Sequence, residues 1–440
     1  VLAAAMRDLL AWQRTLRGWP RRFVAPDGTP FVSVYSNGEL RGCYASNDGA
    51  PCERIARAFL LAAHDGRFGG LVAERRTGAV ALVAYAHDLR PIDARHVVDR
   101  LEIGTHGLLY LRNGGGSTML LPQVARDRRF DAAAFVHSLE TKARSPGLED
   151  GKLFTFETTE ISSLGSRTRK RAPMIAAGDH LASLVERDGA ITFAVHPRSG
   201  ARTPIGAMHH GRSAVVVQAL AALGRKSEAE RARRRLERDI EGALSAQITP
   251  QGWPEDDDRR AGTLALAALA GIDLRAELSR AKPQSAWHGA QVVAALGKDA
   301  PKNVYSACIA DLDARPWAPW TLIAAHAAGD ARTAKRIART LVASVRSEPP
   351  HEGGVTPPGG RIPEIALTSL VVEALAAETD RASRAAVDRA RRFLLRWQVM
   401  PPHVRGPVDL DVAAGAFPLS PVDDGLRCDV TAHAVLALHT

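Results

Sequence analysis

Cysteine is scarce in this sequence: four in 440 residues (Cys43, Cys52, Cys308, Cys428) and no CxxC pair, so neither a disulfide framework nor a structural zinc site organises the chain. Aromatic residues make up only 5%, which leaves few stacking platforms for single-stranded nucleic acid or for carbocations. No apolar run approaches the roughly 20 residues that a membrane-crossing helix needs. Acidic residues fall short of basic ones, 48 against 58, and the formal charge of +10 raises the question of a nucleic-acid partner. That excess is spread over a large surface. Basic residues cluster only at 167–171 and 225–238, and in the second stretch Glu228, Glu230 and Glu237 are interleaved as on a solvated helix face. Nucleic acid is therefore not an expected partner.

What is present is ordinary globular composition, 45% hydrophobic and 24% charged, in a chain long enough for two or three domains. The expectation is a soluble, cytoplasmic protein; the sequence begins at Val1 without methionine, and an export signal would lie outside it. Residues 1–17 read as an amphipathic helix carrying Arg7, Asp8, Arg14 and Arg17. Strands are expected over 31–35, 40–44, 79–85, 107–111 and 119–121, and a helix over 53–64. Their irregular alternation predicts an α+β domain and not a doubly wound sheet. Gly114, Gly115 and Gly116 form a hairpin loop, because no strand-to-helix context turns them into a phosphate cradle.

Five segments then occur in a telling order: Leu40-Arg41-Gly42-Cys43, Ala62-Ala63-His64-Asp65-Gly66-Arg67-Phe68, Ile103-Gly104-Thr105-His106-Gly107-Leu108, Leu120-Leu121-Pro122-Gln123-Val124-Ala125 and Leu153-Phe154-Thr155-Phe156-Glu157-Thr158. They resemble the successive signatures of the AMMECR domain family over residues 1–165. The resemblance implies an α+β fold whose RGC loop faces a groove, and Memo-like or radical SAM proteins as partners; it implies no established reaction. Two places depart from the family pattern. Tyr44-Ala45-Ser46 stands for the usual Ile-Gly-Thr, and Glu140-Thr141-Lys142-Ala143-Arg144 lacks the usual Cys-x-Lys-Ala-Gly-Leu.

Cys43 has Arg41 two residues before it, a context that favours the thiolate. With His64 or His106 as base and Asp65 as orienter it would make a Cys/His nucleophile; the competing reading is a small side chain packed behind a tight turn. Arg67 and Arg41 together would instead bind an anion, and His106 would then simply hold a strand end. The residues identify no cofactor and no metal.

Beyond a basic linker at 166–190 and a short strand at 191–195, helices take over. Six segments are small and apolar with few charges, 211–223, 261–270, 287–296, 318–328, 365–377 and 428–438, and read as buried inner helices. More charged amphipathic segments, such as 228–247, 330–345 and 382–398, alternate with them as outer partners. Turns rich in Gly, Pro and aromatics precede the inner helices, Trp317 and Trp320 among them. This pattern, over 191–440, resembles the α/α-toroid superfamily of terpene cyclases, protein prenyltransferase subunits and several carbohydrate-processing enzymes; an open α-solenoid is the alternative. The expected fold is thus an α+β domain followed by an all-α domain.

The ring mouth would gather His209, His210, Glu255, Asp256, Asp257, Asp258, His288, Glu364, Asp423, Asp424, Arg427, Asp429 and His433. Residues 255–258 have the spacing of the class II terpene cyclase acid motif with Glu in place of the first Asp, or form an exposed turn paired with Arg259 and Arg260. Two carboxylates among Glu255, Asp257, Glu364 and Asp424 would suit acid/base work on a sugar, with Trp253 and Trp287 as platforms and His288 nearby. Cys428, Asp429 and His433 have the composition of a prenyltransferase-like zinc set, or of a helix cap and a core histidine. Three functions stay open: an AMMECR-domain enzyme or substrate-binding component using Cys43, a non-enzymatic adaptor, and a toroid enzyme for a glycan or isoprenoid.

Overall fold

The structure is a computed structural model that describes residues 28–36, 39–69, 80–162, 172–197, 200–204, 210–245, 249–310, 319–400 and 410–440. The helix expected over 1–17, the basic cluster at 167–171, His209 and Trp317 lie outside the described residues. Strand β1 (Pro30–Ser36) pairs antiparallel with β2 (Glu39–Ala45), placing Ser33 opposite Cys43. Helix α1 (Pro51–Ala63) opens with a proline, whose missing N–H costs nothing in a first turn, and buries Ile55, Phe59 and Ala62 against β1 and β2.

The chain continues through β3 (Val80–Pro91), α2 (Val97–Arg100), β4 (Gly107–Arg112), β5 (Ser117–Leu120), α3 (Pro122–Arg128), α4 (Ala132–Ala143) and β6 (Gly151–Ser162). The six strands form one antiparallel sheet in the order β2-β1-β3-β6-β4-β5. One core lies between β1, β3 and α1. A second, around Leu108, Tyr110, Phe135 and Leu139, packs α4 on β4. Between them, Arg126 of α3 and Glu160 of β6 form an ion pair 3.2 Å apart whose side chains are 7% and 5% exposed.

The second domain holds α5 (Pro173–Ser183), β7 (Thr192–Val195), β8 (Arg202–Pro204), α6 (Gly211–Ala222), α7 (Lys226–Leu244), α8 (Asp257–Leu269) and α9 (Arg275–Arg280). It goes on with α10 (Ala286–Leu296), α11 (Lys302–Ala310), α12 (Pro319–Ala328), α13 (Ala331–Ser344), α14 (Ile365–Leu375) and α15 (Arg381–Trp397). The chain ends with α16 (Leu410–Ala413), β9 (Pro418–Ser420), β10 (Asp423–Arg427) and α17 (Cys428–His439). Helices α6, α8, α10, α12, α14 and α17 each pack on the next, and α17 packs back on α6, so the ring closes. Helices α7, α9, α11, α13, α15 and α5 lie on its outside. This is a double ring and not an open solenoid.

Small residues let the inner helices approach: a Cβ on Gly262 of α8 would stand 2.5 Å from His288 and Gln291 of α10. Part of the stretch expected to link the domains is itself α5, which buries Ala176, Ala177 and Leu181. A four-stranded sheet, β8-β7-β10-β9, sits where β10 runs into the first turn of α17.

The two domains touch. Val422 joins the core of the first domain, and ion pairs link Arg129 to Asp423, Arg361 to Asp131 and Arg396 to Glu102. Gly42 shows how tightly α1 sits on β2, since a Cβ there would come within 1.8 Å of the Ala62 carbonyl oxygen. Gly42→Ala is therefore expected to destabilise the first domain by about 3 kcal/mol or more, read as lost amide protection of β1 to β3 in hydrogen exchange, with the helical ring unaffected.

Candidate functional site

β2 and β5 are the two edges of the first sheet, and both border one cavity of about 890 Å³. Edge strands carry unpaired backbone groups, and here charged side chains occupy them. At β2 the Cys43 N–H donates to Asp65 Oδ2 (3.2 Å), and the Cys43 carbonyl accepts from Arg67 Nη2 (3.0 Å). Asp65 and Arg67 are in turn joined by two hydrogen bonds of 2.9 and 2.8 Å, a planar fork on a carboxylate. At β5, Lys142 from the last turn of α4 donates through Nζ to the Met119 carbonyl (2.8 Å). Helices α3 and α4 fill the gap between the edges.

The cavity wall has an apolar part, including Phe31, Leu40, Phe68, Met119 and Phe130, and a polar part that includes Ser33, Cys43, Arg67, Gln123, Asp127, His137 and Lys142. Ser33 Oγ donates to Cys43 Sγ at 3.3 Å. The Arg67 guanidinium lies 5.0 Å from the Tyr44 ring centre and 5.6 Å from that of Phe68, which steers it along the wall. Burial pushes the Cys43 thiol up from its ordinary value, more than the Ser33 hydrogen bond and the charges of Lys142 and Arg67 bring it down. Burial likewise acts against the Asp65 charge, but the Arg67 and Cys43 donors outweigh it and hold its carboxyl low. Desolvation lowers the Lys142 ammonium, with Cys43 and Arg67 acting in opposite senses on it. A thiol that burial holds neutral can pack, accept a hydrogen bond or be capped by a ligand.

Residues 12–161 match the AMMECR1 family model. No curated protein matches the chain. Among solved structures, the uncharacterized protein PH0010 from Pyrococcus horikoshii is 21% identical over 39% of this chain and 95% of that one, with a TM-score of 0.30. A wild-type glycosidase is 14% identical over 62% of this chain and 98% of its own, with a TM-score of 0.32. At these TM-scores the likenesses carry no argument about what the chain does.

Within the AMMECR1 domain, Cys43 and Arg67 share the cavity, whereas Arg41, His64 and His106 do not line it. Arg41 ion-pairs with Glu39. His64 is exposed at the C-terminal end of α1. His106 Nδ1 accepts from the Glu102 N–H at 3.1 Å, and so closes the turn before β4. Sequence reasoning missed Lys142, Gln123 and Ser33. For Lys142 a signal existed: Lys142-Ala143 preserves the Lys-Ala of the family segment whose remaining residues differ.

At the ring mouth the acidic run is committed to structure. Asp256 accepts from the Arg259 N–H at 2.7 Å and caps α8, Asp257 pairs with Arg260 (3.0 Å), and Asp258 accepts from the Ser285 N–H (3.1 Å) at the start of α10. Glu255 is exposed and its carbonyl accepts from Arg260; Glu364 is exposed at the start of α14, and Asp424 is half-buried in β10. Trp253 is half-buried against His210, ring centres 6.1 Å apart, and His210 Nε2 bonds Asp239 (3.0 Å). Trp287 is half-buried on the ring core, and His288 Nδ1 bonds the Ser285 hydroxyl (3.2 Å), its pKa lowered first by burial.

Asp429, buried, is held ionised by Arg427 (3.0 Å) and Arg212 (3.5 Å), which outweigh its burial. Cys428 is buried with its thiol raised by desolvation, and among the described residues no group of three or more His, Cys, Asp or Glu is placed to hold a metal ion.

His433 of α17 bonds Glu373 of α14 through Nδ1 at 2.9 Å. Burial disfavours its charge, but Glu373 and Asp429 raise its pKa above the ordinary value. A histidine raised in the folded state adds stability that is full below its unfolded pKa of about 6.5 and is lost as the pH rises through the folded value. His433→Gln is therefore expected to cost more stability at about pH 6 than at about pH 9, measured by denaturant midpoints; an equal loss would mean the imidazole is not charged in the fold.

Proposed function

We propose that the AMMECR1 domain is a substrate-binding component, and that the cavity beside Cys43 holds a small organic anion with an apolar body. The bound molecule would be offered to a partner of the Memo-like or radical SAM kind that the family resemblance implies. One observation carries this reading: Arg67 and Lys142 both stand close enough to bear on the charge of Cys43, on a wall that is otherwise largely apolar. Ligand sites combine such apolar walls with a few convergent polar groups. The cysteine-enzyme reading has less support, since neither His64 nor His106 lines the cavity, and His137, which does, bonds Glu140 through Nδ1 at 3.3 Å and is not among the groups that act on the thiol. The glycan and isoprenoid reading has less support, because Asp256, Asp257 and Asp258 of the acidic run act as a cap, an ion pair and a staple.

Alkylation of the full-length chain by iodoacetamide tests the proposal, with exposed Cys52 as internal control. Cys43 is expected to react slowly with an apparent pKa above the free-thiol value of about 8.5, and octanoate is expected to slow it saturably without touching Cys52. Lys142→Met should weaken that protection about tenfold, the worth of one charge-assisted hydrogen bond. Fast alkylation at neutral pH, indifferent to octanoate, would return Cys43 to the role of nucleophile.

A further inference from the structure

Gln123, in the first turn of α3, is 3% exposed and lines the cavity. Its Nε2 donates to Ser33 Oγ at 3.5 Å, and that hydroxyl donates to Cys43 Sγ at 3.3 Å. The chain of donors orients the amide: with Nε2 turned to Ser33, Oε1 is the acceptor left over, and it is buried without a hydrogen-bond partner among the described residues. A buried acceptor calls for a donor, and on a cavity wall a ligand can supply one. The same wall carries Arg67 and Lys142, which repel each other across the Cys43 region and are relieved by an anion set between them. Asp127, hydrogen-bonded by the Tyr35 hydroxyl (3.2 Å), adds a carboxylate to the same wall, which suits one carboxylate ligand better than a polyphosphate.

We propose that the ligand is an N-acylated α-amino acid, or the carboxyl end of a peptide, with its carboxylate at Arg67 and Lys142, its amide N–H on Gln123 Oε1 and its side chain against Leu40, Phe68 and Met119. This rests on the cavity being a binding site, as proposed above. An amide N–H only donates, and so matches an acceptor-only oxygen. A free amino group would bring a positive charge to a wall that already carries Arg67, Arg128 and Lys142 against the lining carboxylate of Asp127. A plain fatty acid supplies the anion and the apolar body but leaves Gln123 unsatisfied.

Protection of Cys43 from iodoacetamide in the full-length chain separates these chemistries, with N-acetyl-L-leucine, 4-methylpentanoate, L-leucine and N-acetyl-L-leucinamide as probes. N-acetyl-L-leucine is expected to protect at a concentration about tenfold below that of 4-methylpentanoate, with L-leucine and the uncharged amide weaker still. Gln123→Leu should bring the protecting concentrations of N-acetyl-L-leucine and 4-methylpentanoate to about the same value. Equal protection by the two carboxylates in the unaltered chain overturns the acyl-amino-acid assignment while the anion site stands. Equal protection by the uncharged amide overturns the carboxylate. Failure of all four probes, together with octanoate, overturns the site itself.

Discussion

The backbone of Cys43 has no strand beside it on its outer side, and everything around the AMMECR1 cavity follows from how that edge is closed. Asp65 takes its N–H and Arg67 covers its carbonyl, so two side chains do the work of a neighbouring strand. The arrangement ties the loop after α1 to β2 and holds a guanidinium at the rim. It also shields the thiol enough that desolvation outweighs the nearby positive charge. The residue pattern Arg-Gly-Cys is thus explained backwards from its glycine. Gly42 lets the Ala62 carbonyl approach, α1 settles on β2, and the Asp65 carboxylate arrives at the Cys43 amide.

The helical ring obeys a different constraint. Its six inner helices are buried on most sides, so they are built from Ala, Val, Leu, Gly and an occasional Thr or Ser that returns its hydroxyl to the preceding turn, as Ser369 does to Ile365 (2.8 Å). Charges that occur inside are paired: Asp429 with Arg427 and Arg212, His433 with Glu373. Outer helices α13 and α15 keep Ile337, Leu341, Phe393 and Leu394 inward and basic residues outward.

Where the domains meet, one short segment serves both. Asp127, Arg128 and Phe130 face the cavity, while Arg129 and Asp131 between and beyond them pair with Asp423 and Arg361 of the ring. Asp131 also caps α4, whose far end carries Lys142. The cavity wall and the domain contact are parts of the same turn.

Much of this was legible in the residues because periodicity is a local property. The alternation of 31–35, the 3.6-residue spacing of 53–64 and the small-apolar character of six segments place β1, α1 and the inner helices within a few positions of where they lie. The residues suggested Arg41 as the neighbour of both Cys43 and Arg67, but each of those two was legible as a candidate because the family signatures that hold them resemble known ones. The partnership of Cys43 with Lys142, Ser33 and Gln123 was not, because it joins residues of four elements whose proximity depends on strand register and on how far the sheet curls. Nor does local pattern decide whether stacked helical hairpins close, since that turns on the packing of α17 against α6 from the two ends of the domain. Composition and spacing alone determined an α+β domain followed by a helical one; the tertiary fold decided which charges meet at the thiol, because only folding brings distant backbone edges within the reach of a side chain.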